Sequence, residues 1–487
     1  MAVERIVTEK TKFRLRIRVE RQRQSAYSRS GIEAATDGER QMPILPYGLR
    51  SGAILATAGL VAGFLMSSVA PSSAGPFSWL TGRNNQDSGG GGFFGGNRGL
   101  NDPTAKPGAS ELPANDPEAY MITNPALGTP TLSSRNIAAT KAAIEKYKAI
   151  VAQGGWPMIP PKVMKPGMRG QDVATLQRRL EISGDLVGRS IPGEYDAGVV
   201  AALKKFQLRH GLPPTGVIDS KAMVEGLNMP ASFRLAQLQT NLKRLQSLSA
   251  NTGSRYVVVN IPAAQVEAVD SGQVIMRNAA VVGKIDRPTP ELSSRIHEIN
   301  FNPYWNVPKS IVQKDLVPKG RLFASRGQDM LAAYRMQAFD RAGNPIHPQQ
   351  IDWNNPEVYN YSFRQLPWEE NSLGFVKINF PNKDAVYLHD TPLKGLFGQA
   401  VRFESSGCVR VNKVEQLVAW ILRDNPGWDI NRIHHMKQSR EQLDVKVARP
   451  VPVFITYVSA WGTPDGQVQF RPDIYGHDSG AVAASTF

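Results

Sequence analysis

The spacing of apolar residues divides this chain into two regimes. Between residues 136 and 250 they recur every three or four positions. Ile137, Ile144, Tyr147 and Val151 do so in Asn136–Ala152, and Leu235, Leu238, Leu242 and Leu245 in Ser232–Leu248. Val173, Leu176 and Leu180 follow Asp172, and Val199, Leu203 and Phe206 follow Asp196. This is the period of amphipathic helices, with Asp172 and Asp196 as expected N-caps. Gly211-Leu212-Pro213-Pro214 breaks the second of these, and Gly216-Val217-Ile218-Asp219 opens a third. From Arg255 the pattern shortens to that of strands: Tyr256–Ile261, Gln265–Asp270, Gln273–Arg277, Ala279–Gly283, Ser293–Phe301, Phe375–Phe380, Ala385–His389 and Val453–Val458. They are β-branched and bounded by turn residues. Two late helices are expected, Lys413–Arg423 and one near Asn431–Met436. Many short strands with few helices predict an α+β chain whose main domain is a β-sandwich or barrel-like sheet.

Pro303–Leu373 is too long for an ordinary connection between strands. Its aromatic residues Trp305, Trp353, Tyr359, Tyr361, Phe363 and Trp368 mark it as an inserted subdomain, a cap of about 303–373. At the other end, residues 1–50 are basic, and the apolar run Ile54–Val69 follows. The segment 51–70 is near the minimum for a membrane span. A basic flank that comes first keeps the N-terminus cytoplasmic. An uncleaved inner-membrane anchor is expected over a cleaved signal, although Ser72-Ser73-Ala74 would serve as a cleavage site. Residues 71–130, with Gly89–Gly92 and many Pro, Asn and Ser, read as a disordered linker. The expected order is then a helical region 131–250 containing a three-helix unit at 165–229, a catalytic-type sheet at 251–460 carrying the cap, and a tail at 461–487.

Composition is that of a folded protein, with 41% hydrophobic and 20% charged residues among 487. The formal charge of +15 fits nucleic acid, an anionic membrane or an acidic wall polymer. No zinc-finger spacing, RRM signature or recognition helix accompanies it, so nucleic acid is set aside. No metal-ligand cluster and no cofactor motif is seen, and a monomer is expected.

Cys408 is the single cysteine of the chain. It therefore forms no internal disulfide and belongs to no multi-cysteine metal site. It stands in Ser405-Ser406-Gly407-Cys408-Val409-Arg410, where the glycine permits a sharp turn. A strand ending in His389 lies upstream. A thiol and an imidazole are the minimal parts of a cysteine nucleophile with its base. Ser405, Ser406 and Gly407 are the candidates for oxyanion binding or positioning, with Ser405 a candidate to orient His389. Arg410 and Trp305 are candidates for substrate binding. Asp390 points the other way along its strand and is expected to be structural.

The spacing His389, fifteen residues, Ser405-Ser406-Gly407-Cys408 resembles the motif of L,D-transpeptidases with a YkuD-type catalytic domain. Asn300–Pro308 and Tyr387–Pro392 are similar to the larger Gram-negative members, which carry an anchor, a peptidoglycan-binding domain and a capping insertion. The unit 165–229 resembles that three-helix peptidoglycan-binding domain through Gly167, Gly170, Asp172-Val173, Leu176-Gln177, Leu180, Phe206-Gln207, His210-Gly211-Leu212, Gly216 and Asp219. One position departs: the family usually has His where this chain has Ser406. The resemblance implies a periplasmic enzyme with a thiolate–imidazolium pair and no metal. It acts on peptidoglycan stem tetrapeptides through a Cys408 thioester and makes 3→3 cross-links. Water as acceptor would make an L,D-carboxypeptidase, and a protein amine would make a wall-anchoring enzyme. The reading from another class is a catalytically silent wall-binding protein.

Overall fold

The computed structural model describes residues 128–250 and 252–478. The basic segment 1–50, the apolar segment 51–70 and most of the linker lie outside the described residues. Among the described residues no helix is long and apolar enough to cross a membrane.

Among the described residues five helices come first. α1 (Ser134–Ala152) and α5 (Ala231–Ser249) enclose in sequence the three-helix unit of α2 (Gln171–Ser183), α3 (Ala197–Arg209) and α4 (Lys221–Asn228). The unit has its own core of Val173, Leu176, Leu180, Val199, Leu203, Phe206, Val224 and Leu227. Asp196 caps α3 by accepting from Val199 N. Asp172 is not a cap: Gly170 holds that position at φ 122, and Asp172 lies inside the first turn. There its charge still favours the helix N-terminus.

The sheet follows. Its strands are β1 (Arg255–Asn260), β2 (Gln265–Asp270), β3 (Gln273–Gly283), β4 (Leu292–Phe301), β9 (Val376–Asn379), β10 (Leu388–His389), β11 (Phe403–Ser405), β12 (Val409–Val411) and β13 (Leu443–Thr456). The order is β11-β3-β12-β10-β9-β4-β13-β1-β2, and β2 also pairs with β3. The long β3 therefore closes the sheet on itself, one half on β2 and the other on β12 and β11. One face holds the main core, with Val257, Val259, Ile299, Ile378, Leu388, Val409 and Val453 against Leu417, Val418 and Ile421 of the helix Val414–Ile421. Burying each such side chain contributes about 1.5–3 kcal/mol. On the other face of β1, Tyr256 and Val258 pack with Leu245 of α5 and Trp461.

The insertion between β4 and β9 contains β5 (Trp305–Asn306), β6 (Met336–Phe339), β7 (Pro345–Ile346) and β8 (Ser362–Gln365), in the order β5-β8-β6-β7. Trp305, Leu316, Trp353, Val358 and Phe363 give it a separate core. It ends at Gly374, whose φ is +59 and where an added Cβ would meet the Asp390 carboxylate. Residues 461–478 are not a tail. β14 (Ala460–Gly462) and β15 (Val468–Phe470) form a hairpin, and its buried Phe470 joins a cluster with Tyr147 of α1 and Leu238 of α5.

Candidate active site

Register decides which side chains share the site. His389 of β10 faces Arg410 of β12 on one side and Lys377 of β9 on the other. Lys377 in turn faces Asn300 of β4, which faces Asp444 of β13. The result is a polar row, Asp444–Asn300–Lys377–His389–Arg410, across five strands. Directly opposed residues point to the same side of a sheet and alternate ones return to it. Tyr387 and Cys408, two residues before His389 and Arg410, therefore belong to the row's side. Ile378, Leu388 and Val409, one residue away, point into the core. The alternation that buries three apolar side chains thus delivers thiol and imidazole to one surface.

His389 is 1% exposed. Its Nδ1 lies 2.5 Å from the main-chain oxygen of Asp390. That bond fixes the tautomer with Nδ1–H as donor and leaves Nε2 unprotonated and free to accept. The carbonyl of Asp390 orients the ring, while its carboxylate pairs with Lys394 and accepts from Phe375 N at 3.2 Å. Burial lowers the imidazole pKa to about 3, and neighbouring Arg410 acts in the same sense. Cys408 retains partial exposure. Burial pushes its thiol up, while hydrogen bonds from Tyr387 and the charges of Lys377 and Arg410 pull the other way. Both shifts favour the uncharged forms, so the resting pair is thiol and neutral imidazole. The common cause is desolvation, which acts against the expected thiolate–imidazolium pair.

Arg410 is 2% exposed, with its pKa lowered by burial to about 10. Ser405 does not orient His389. Its hydroxyl donates to Cys408 O at 2.5 Å and accepts from Gly407 N at 3.2 Å. Gly407 has φ 112, and its carbonyl accepts from Thr289 Oγ1 at 2.8 Å. These bonds set the shape of the turn that carries Cys408. Ser406 accepts from Arg287 Nη1 at 3.0 Å, and the same guanidinium pairs with Asp315 of the insertion. Trp305 offers no open binding face, because it is 1% exposed within the core of the insertion. It supports the site indirectly through a hydrogen bond that involves Tyr387.

Lys377, Arg287 and Thr289 were not singled out from sequence. Lys377-Ile378-Asn379 alternates polar and apolar as Tyr387-Leu388-His389 does, and that signal places Lys377. Nothing local marks Arg287 or Thr289, which act across 119 and 118 residues of chain. Among the described residues no group of acidic, His and Cys side chains is arranged to hold a metal.

Comparison with known proteins matches residues 254–453 to an L,D-transpeptidase catalytic domain and residues 169–223 to a domain described as "putative peptidoglycan binding domain". A Haemophilus influenzae protein named "Putative L,D-transpeptidase" is 34% identical over 223 residues, which cover 46% of this chain and 44% of that protein. The chain thus spans less than half the length of this curated relative. Among solved structures, an L,D-transpeptidase from Mycobacterium smegmatis is 14% identical, with 42% of this chain and 58% of that chain covered and a TM-score of 0.21. One from Stackebrandtia nassauensis is 14% identical, with 64% and 99% covered and a TM-score of 0.23.

Proposed function

We propose, for a chain that carries an L,D-transpeptidase catalytic domain of the YkuD type and a peptidoglycan-binding domain, that it forms 3→3 cross-links between peptidoglycan stem peptides through a thioester on Cys408. The observation that carries this reading is that Cys408, immediately before β12, and His389 of the neighbouring parallel β10 fall on one side of the sheet. Cys408 Sγ attacks the carbonyl of the third residue of a stem tetrapeptide, a diaminopimelate. His389 Nε2 takes the thiol proton as the C–S bond forms, then gives it to the departing D-Ala amine. A neutral imidazole is the form able to accept that proton. The Tyr387 hydroxyl, bonded to the thiol at rest, is a donor beside the developing oxyanion. The side-chain amine of a second stem then attacks the thioester and releases Cys408. Arg410 sets a positive field beside both reacting groups. The helical unit at 165–229 holds the glycan strand or stem. The work is done in the periplasm, with residues 51–70 anchoring the chain in the inner membrane.

Purified tetrapeptide-rich wall fragments test this reading by mass spectrometry of the products. Cross-linked dimers are expected. Tripeptides alone would show a carboxypeptidase, and unchanged fragments would show a silent binding protein.

A further inference from the structure

A cleft of about 440 Å³, lined by Asn300, Asn302, Tyr304, Asn306, Lys377 and Asp444, reaches the strand that pairs with His389 through Lys377. Lys377 belongs both to this cleft and to the surroundings of Cys408 and His389, whose titration it influences. Its ammonium is half-buried, and among the described residues it has no hydrogen bond or ion pair. Its contact is the face of Tyr387, 4.5 Å from Nζ to the ring centre. A desolvated cation on an aromatic face lacks the anion that would offset its burial. Burial accordingly lowers its pKa, against the opposing influence of the Cys408 sulfur, Glu298 and Asp444. Asp444 stands on the far wall, two strands away, roughly 10 Å at the usual strand spacing. It is exposed, and one oxygen accepts from Asn300 Nδ2 at 2.6 Å.

We propose that this cleft holds a free zwitterionic α-amino-acid centre of the donor peptide, with its carboxylate on Lys377 and its ammonium on Asp444. The inference rests on the transpeptidase reading above. It assigns the cleft to the non-reacting end of the third residue's side chain, while the backbone carbonyl of that residue meets Cys408. The order of charges selects the donor over the acceptor. An attacking amine must lie nearest the sulfur, whereas here the cation that would repel an ammonium is near and the carboxylate that would attract it is far. Glu298 accepts from Asn300 Nδ2 at 3.0 Å and from Asn379 Nδ2 at 3.2 Å. It thereby fixes the two amides that flank Lys377.

The test uses the full chain with Cys408→Ala, so that binding is read without turnover. Three synthetic tetrapeptides are titrated by calorimetry: one with the free centre, one amidated at its carboxylate and one acetylated at its amine. Lys377→Gln is expected to weaken the free peptide at least about tenfold and the amidated one by less than about twofold. Asp444→Asn, at an exposed position that does not threaten folding, is expected to weaken the free peptide and leave the acetylated one unchanged. Equal losses for all three peptides, or no loss for any, would overturn the assignment. Turnover by the unsubstituted chain is measured alongside. If that chain cross-links nothing while the selective losses persist, the transpeptidase reading fails and the subsite stands. If it cross-links and the selectivity is missing, the subsite alone fails.

Discussion

At the scale of single residues, the proposed reaction depends on how far burial separates the two partners' affinities for a proton. His389 is lowered to about 3 and the Cys408 thiol is raised. At neutral pH the imidazole is then uncharged, the form that the proposed base requires. The account therefore predicts kcat/KM for tetrapeptide to be flat from about pH 5 to 8, without the limb near 6.5 that an ordinary histidine gives. A rate falling tenfold per unit below pH 6.5 would contradict a neutral resting pair. His389→Gln should lower kcat by about 10²–10⁴ while leaving peptide binding to the Cys408→Ala background unchanged, which calorimetry checks. The pairing of Cys408 with His389 on one side of the sheet was legible because a lone cysteine follows a glycine and a histidine ends the strand upstream. Trp305 was misread because an aromatic residue in a long insertion carries the same local signal whether it packs or binds.

At the scale of elements, the polar row exists because five strands keep one register. Its readability followed the continuity of each strand. β2 occupies Gln265–Asp270 as expected, whereas Ala385–His389 yields only Leu388–His389. Ala385 takes φ 52, and the Asn382 side chain serves Val386 N at 3.0 Å and Val386 O at 2.8 Å in place of a neighbouring strand. β13 begins ten residues earlier than Val453: the irregularity between Lys446 and Val451 absorbs Pro450, while Pro452 keeps its register opposite Arg295. Long-range ties were invisible. Arg287 joins Ser406 of the turn that carries Cys408 to Asp315 of the insertion, and both members of the ion pair are largely buried. Arg287→Met would leave the Asp315 charge unpaired, so a loss of about 3–5 kcal/mol in urea unfolding is expected. A change below about 1 kcal/mol would show that the pair does not hold the insertion down.

At the scale of the molecule, the helical unit and the sheet are joined by the C-terminal hairpin. Arg209 of α3 donates to Val468 O at 3.3 Å, and Arg471 donates to Arg209 O at 3.0 Å. The His210 ring stacks between Phe206, at 3.8 Å, and Phe470, at 5.5 Å. Its Nδ1 lies 2.7 Å from Phe206 O, at the C-terminal end of α3. Sequence could not show that residues 461–478 would carry this junction, because its partners lie more than 250 positions away. Burial holds His210 well below its ordinary pKa, as it does His389. A lowered histidine pKa means that the unfolded chain binds the proton first. The stabilisation is complete above about pH 6.5 and is lost as pH falls toward the folded-state value, by about 1.4 kcal/mol per unit for each histidine. Chemical unfolding at pH 7.5 and pH 5.5 checks this, and equal stabilities would contradict it. The central claim meets its most direct test in the intact mass of the chain after brief exposure to a stem tetrapeptide. The account predicts a thioester adduct on Cys408, equal in mass to the donor less D-Ala, that disappears when a second stem amine is added. An unmodified chain that nevertheless released D-Ala, or an adduct retained by Cys408→Ala, would contradict it.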